Sequence, residues 1–183
     1  MDNKNNIIIM SLISILILVV GWEKTGFVDL QFTNPIKYLI LAACFEEIVK
    51  GFVPLVVGLY TKVTKKHFII PAIVFGLIEN IIFFLRGIIS EGFFSAITIF
   101  ILRMIWPFLF HVSLAIIFYN LDKKFNNNSN KFVKFLIRIL IIIFLSGIHI
   151  VYNHYIGLGS LLIFLVFTSL ATIIVFEDFY QNL

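Results

Sequence analysis

Four stretches of this sequence carry ionisable or amide side chains inside otherwise apolar runs, at helical spacing. In Phe45-Glu46-Glu47-Ile48-Val49-Lys50, Lys50 follows Glu46 by four residues and Glu47 by three, so all three groups share one helix face. Adjacent carboxylates in a low dielectric cannot both ionise cheaply and are expected to share a proton, which is the property general acid–base chemistry uses. Phe75-Gly76-Leu77-Ile78-Glu79-Asn80 places a third carboxylate beside an amide, with Gly76 allowing another helix to come close. Arg103, Pro107 and His111 form an i, i+4, i+8 stripe, and Pro107 leaves the carbonyl near residue 103 without its helical partner. His149 and Asn153 are again four apart, with Tyr152 beside them. A Glu–Lys pair that merely stitches two helices together would account for Lys50 and one glutamate, but not for three Glu and two His spread over four apolar runs.

Two chemistries suit such a set. One is hydrolysis by a water that a glutamate deprotonates, with a hydrogen-bond donor for the developing oxyanion. The other is a zinc-bound water, since two His and a Glu are a standard catalytic zinc set, and Glu79, His111 and His149 would be its ligands. There is no His-Glu-x-x-His, and the candidates are single residues on separate helices. The glutamate reading is therefore favoured, no cofactor is favoured, and zinc is the alternative.

The elements that carry these residues belong to a membrane protein. The 183 residues are 61% hydrophobic, 16% aromatic and only 13% charged, with a mean hydropathy of +1.06. Soluble domains are about a quarter charged. The expected fold is all-α: a bundle of about six transmembrane helices with a polar cavity at membrane depth, in a single domain over 1–183. The apolar runs fall at 7–22, 38–60, 68–89, 93–119, 132–155 and 158–176, near the roughly 20 residues that cross a bilayer. The first run resembles a signal peptide in length, but Gly21-Trp22-Glu23-Lys24 offers no small-x-small cleavage site, so it reads as a retained span. Each charge at the bilayer centre costs roughly 2.5–3.5 kcal/mol on insertion scales, so the ionisable residues should face the bundle interior.

The net charge of +4 does not point to nucleic acid, because the lysines cluster between apolar runs: Lys62, Lys65 and Lys66, then Lys123, Lys124, Lys131 and Lys134. With Lys4 they mark one side, against Lys24, Lys37 and Arg86 on the other, which places both termini in the cytoplasm of a multi-pass protein of the cell membrane. The Asn126–Asn130 tract is then a cytoplasmic linker, where the Asn127-Asn128-Ser129 sequon carries no weight. Cys44 reads as a small buried side chain, His67 and His154 as interfacial, and Glu177 and Asp178 as solvated. The many Phe are lipid-facing or packing groups.

The ordered motifs resemble the PrsW family of intramembrane proteases, related to the CAAX prenyl endopeptidase and abortive-infection membrane proteins. The resemblance covers residues 45 to 153: Glu46-Glu47-Ile48-Val49-Lys50, Phe75 through Asn80, Arg103 with Pro107 and His111, and His149 through Asn153. The CAAX pattern would have Arg where Gly51 stands and Phe where Pro107 stands, which favours the PrsW branch. The resemblance implies an intramembrane endopeptidase, of glutamic rather than metallo type, acting in regulated intramembrane proteolysis. Its substrate would be a membrane-tethered protein or peptide, an anti-sigma factor or peptide precursor among the options, in contact with membrane lipid. Glu46 and Glu47 would supply the base and later the acid, with His111 sharing the water. Glu79 and His149 would complete the cavity, Asn153 would donate to the oxyanion, and Lys50, Arg103 and Asn80 would support the charge balance.

Two other classes use the same residues. A non-catalytic binding or immunity protein could keep the cavity, although the intact motif set speaks against it. An ion-coupled transporter also buries Glu and His, but no repeat or pair of broken helices is visible. Reporter fusions at Asn127 and after Leu183 are expected to report the cytoplasm; an extracytoplasmic signal at Asn127 would invert the topology.

Overall fold

The computed structural model describes residues 4–24, 34–60, 62–125, 130–157 and 161–180. They form helices α1 (Lys4–Lys24), α2 (Pro35–Tyr60), α3 (Lys66–Glu91), α4 (Phe93–Phe125), α5 (Lys131–Gly157) and α6 (Leu161–Tyr180), with no strand among the described residues. Each expected run falls on one helix, in order. Residues 126–129 of the Asn-rich linker, the start of the last run at 158–160 and the Asp178 side chain lie outside what is described.

Among the described residues, three helices are long and apolar enough to cross a membrane: α3, α4 and, over Lys131–His154, α5. At 26 residues, α3 is about 39 Å long, more than a hydrocarbon core of about 30 Å. The described apolar segments of α1 and α6, Asn5–Leu16 and Leu165–Glu177, are shorter. In α2 no 18-residue window escapes Glu46, Glu47 and Lys50. The residues that could do chemistry are thus what sets α2 apart from a plain span.

Burial is inverted relative to a soluble protein. Glu46, Glu47, Lys50, His111, Arg138 and His149 are all buried, whereas Ile89, Phe94, Leu140, Ile143 and Phe176 are exposed. An apolar exterior with the ionisable groups turned inward is what a lipid solvent selects.

The helices associate as two main pairs. The hairpin α3–α4 turns at Gly92, whose φ of +86° lies in the region glycine tolerates best, and α2 packs along α5 despite its distance in sequence. Helix α6 covers α4, and α1 lies against α2 and α3. Small residues permit the contacts. A Cβ at Gly76 would stand 3.1 Å from the Phe108 ring, and one at Gly51 would stand 2.5 Å from Ile142 Cδ1. The main apolar core joins Phe68, Phe110, Leu114, Phe118, Ile141, Leu145 and Tyr152.

A further ion pair lies away from the motifs. Arg138 of α5 donates to Asp122 of α4 through Nε at 2.8 Å and Nη2 at 3.3 Å, and both side chains are buried. The guanidinium lies across Gly58 of α2, where a Cβ would overlap it, so three helices meet there. His67, at the start of α3, is buried, and its Nδ1 accepts the Thr64 backbone N–H at 2.9 Å. Removing one member of a buried pair strands the other charge, at about 3–5 kcal/mol. Asp122→Leu is expected to lower the thermal stability of purified protein sharply, and Asp122→Leu with Arg138→Met to recover most of it. A double variant no more stable than the single one would mean that the pair does more than neutralise itself.

Candidate functional site

The site forms where the two helix pairs face each other. On the α2–α5 side, the His149 ring lies between the adjacent carboxylates: Nδ1 is 2.8 Å from Glu47 Oε1, and Nε2 is 3.4 Å from Glu46 Oε2. Lys50, one turn after Glu47, donates to Glu47 Oε1. On the α3–α4 side, Glu79 accepts from Arg103 Nη2 at 2.8 Å through Oε1, and its Oε2 lies 3.0 Å from His111 Nε2. The halves join at one hydrogen bond, Lys50 Nζ to His111 Nδ1 at 2.9 Å.

That join assigns the protons. An ammonium has donors only, so Nδ1 of His111 must accept, and the ring proton sits on Nε2, where it donates to Glu79. The result is a continuous polar path, Arg103–Glu79–His111–Lys50–Glu47–His149–Glu46, over four helices. Aromatic edges enclose it. Phe75 and His149 each meet the His111 ring edge-on at centroid distances of 5.4 Å, and Phe110 meets His149 likewise at 5.4 Å. Glu79 and Arg103 are the least buried members, at 21% and 22% exposure, so the path opens on that side. There Arg103 packs over the Phe83 ring at 3.7 Å.

Pro107 explains why Asn80 belongs to the assembly. The carbonyl of Arg103 cannot receive a bond from Pro107, and Asn80 Nδ2 donates to it from α3 at 3.2 Å. The same amide accepts from Arg103 Nε through Oδ1 at 3.2 Å, fixing the guanidinium that faces Glu79.

The sequence candidates divide accordingly. Glu46, Glu47, Lys50, Glu79, Asn80, Arg103, His111 and His149 are brought into one network. Asn153 is not: it is half-buried and makes no side-chain hydrogen bond among the described residues. One position earlier, the Tyr152 hydroxyl is buried without a hydrogen-bond partner, its ring stacked on Phe110 at 3.8 Å and 6.3 Å from His149. Tyr152 stood next to the motif residues in sequence, and three residues from His149 is one helix face. Oε2 of Glu46 is the other buried oxygen of the site without a hydrogen bond. Cys44 is half-buried and outside the network, as is exposed His154.

A metal could be held by Glu46, His111 and His149, whose ligand atoms lie within 4.8 Å of one another. This differs from the trio expected from sequence, since Glu79 is engaged by Arg103 and His111. The carboxylate partners of both imidazoles resemble those of metal-ligating histidines. However, an ion on His111 Nδ1 would have to displace the Lys50 ammonium. The donor types fit zinc, while the charge already in place opposes it.

Comparison with known proteins finds no matching family model, no matching curated protein and no matching solved structure.

If Asn80 is there to satisfy the carbonyl that Pro107 frees, the two positions must couple. Asn80→Leu is expected to destabilise by about 1–3 kcal/mol by orphaning that group. The cost should shrink when Pro107→Ala returns an N–H to the helix. Additive effects in this double-mutant cycle would show that the amide serves only the guanidinium.

Proposed function

We propose that the chain is an intramembrane endopeptidase of the PrsW type, built as a bundle of about six spans with both termini in the cytoplasm. The observation that carries the reading is the free acceptor on Glu46. Among the described residues its Oε2 is buried without a hydrogen bond, 3.4 Å from His149 Nε2, which leaves an oxygen able to accept from a water. Glu46 is then the base that takes the proton of that water and returns it to the leaving amine. Glu47, engaged by Lys50 and His149, holds the second imidazole in place rather than acting as a second base. His111 is held in one tautomer by Lys50 and Glu79. The unspent Tyr152 hydroxyl is better suited than Asn153 to donate to the oxyanion.

The substrate is a peptide bond of a membrane-tethered protein or peptide, because the groups lie among apolar helices rather than in a soluble domain. Zinc bound by Glu46, His111 and His149 would instead supply an activated water, at the expense of the Lys50 contact. A non-catalytic binding role is the second reading, favoured by the network's satisfying most of its own charges internally.

In membranes, Glu46→Gln is expected to lower cleavage by at least about 10²-fold without loss of folded protein, since Gln keeps the shape but takes no proton. Glu47→Gln and His111→Ala should be similarly severe, and Cys44→Ala and His154→Ala mild. Activity of purified protein should survive a strong chelator. Loss with chelator and return with zinc would assign the cavity to metal chemistry, and membrane proteomes identical between wild type and Glu46→Gln would favour the non-catalytic reading.

A further inference from the structure

Two apolar grooves run along the outer side of α4 and α5 and meet at Phe144. One, of about 510 Å³, lies between α4, α5 and α6 and is bounded by Phe110, Leu114, Gly147 and Val151. The other, of about 520 Å³, continues towards the α4–α5 connection past Leu121, Phe125 and Ile137. The hydroxyl of Ser113 in the first is already spent on the Phe110 carbonyl at 2.8 Å. From Ile137 to Val151 the floor is about 21 Å long, more than the thickness of one leaflet's hydrocarbon.

The end of this apolar track is charged. The Lys124 ammonium sits 5.4 Å over the ring of Phe125, which lines the groove. Lys134 is one turn before Ile137 on the same face of α5, and Lys123 and Lys131, in the last turn of α4 and the first of α5, are exposed. A long apolar track with cations at one end has the shape and charge of an anionic amphiphile.

We propose that the α4–α5 groove is a binding site for an anionic phospholipid, with the headgroup at Lys124 and Lys134 and one acyl chain along Phe144 towards Phe110. Juxtamembrane lysines attract anionic lipid, and on the orientation read from the lysines this mouth faces the leaflet where such lipid concentrates. The chain ends one ring from the polar network, because Phe110 is stacked on Tyr152 and edge-on to His149. Gly147 offers a way to block the track: it lines the groove, and a Cβ there meets nothing within 4 Å, so a larger side chain starts into open space.

The test is lipid retention, independent of any peptidase activity. The full chain is reconstituted in equimolar phosphatidylglycerol and phosphatidylcholine, re-extracted, and its bound lipid quantified by native mass spectrometry. Phosphatidylglycerol should be enriched roughly tenfold on wild type. Lys124→Gln with Lys134→Gln should abolish the enrichment, Lys124→Gln alone should reduce it, and Gly147→Phe should reduce retention of both lipids, each in protein that elutes as one species. Excess glycerol phosphate should not compete. Equal retention of the two lipids by wild type, enrichment surviving the double lysine variant, retention unchanged by Gly147→Phe, or full displacement by glycerol phosphate would each overturn the assignment.

Discussion

A lysine ammonium enclosed by apolar helices must direct its protons at the protein, and the Lys50 ammonium directs them at Glu47 and His111. The second of these bonds crosses between the helix pairs and holds the halves of the polar interior in register. Without it the α2–α5 pair would keep Glu46, Glu47, Lys50 and His149, and the α3–α4 pair would keep Glu79, Asn80, Arg103 and His111. Neither half alone combines a free acceptor with two imidazoles. Burial makes the arrangement demanding, because a charge left unpaired at this depth costs several kcal/mol. It also makes the arrangement stiff: His111 has one tautomer open to it, and Arg103 is held from both sides by Glu79 and Asn80.

Much of this was legible in the chain because it is local. Residues three and four apart share a face, so the Glu46/Glu47/Lys50 and His149/Tyr152 clusters were readable from spacing alone. Pro107 announced a bare carbonyl near residue 103, and the structure fills it with Asn80. What spacing could not give is which helix faces which. The pairing of α2 with α5 is non-local, and it decides that His149 rather than His111 contacts both glutamates directly. Asp122 escaped notice because the apolar run ends at Tyr119 while the helix continues to Phe125, carrying the carboxylate inward to Arg138. Arg138 stood inside an apolar run and was itself the signal. Tyr152 outranks Asn153 because rotation about the α5 axis buries one and leaves the other half-open, a difference that i, i+4 spacing from His149 does not capture.

Polar and apolar features divide the bundle between chemistry and solvent. The path from Arg103 to Glu46 is internal, lined by aromatic edges and open at its Glu79–Arg103 end, whereas the α4–α5 track is external, apolar and ended by lysines. Phe110 belongs to both: it lines the groove, stacks on Tyr152 and contacts His149. Phe110 and Tyr152 are the wall between the groove and the polar network.

Histidine ¹⁵N NMR of the protein in lipid reads the join between Lys50 and His111. His111 is expected in the Nε2–H tautomer, with an unprotonated Nδ1 that responds to Lys50→Met, and a smaller response is expected at His149 through Glu47. A His111 ring protonated on Nδ1, or one indifferent to Lys50→Met, would show that the two helix pairs do not meet through this bond.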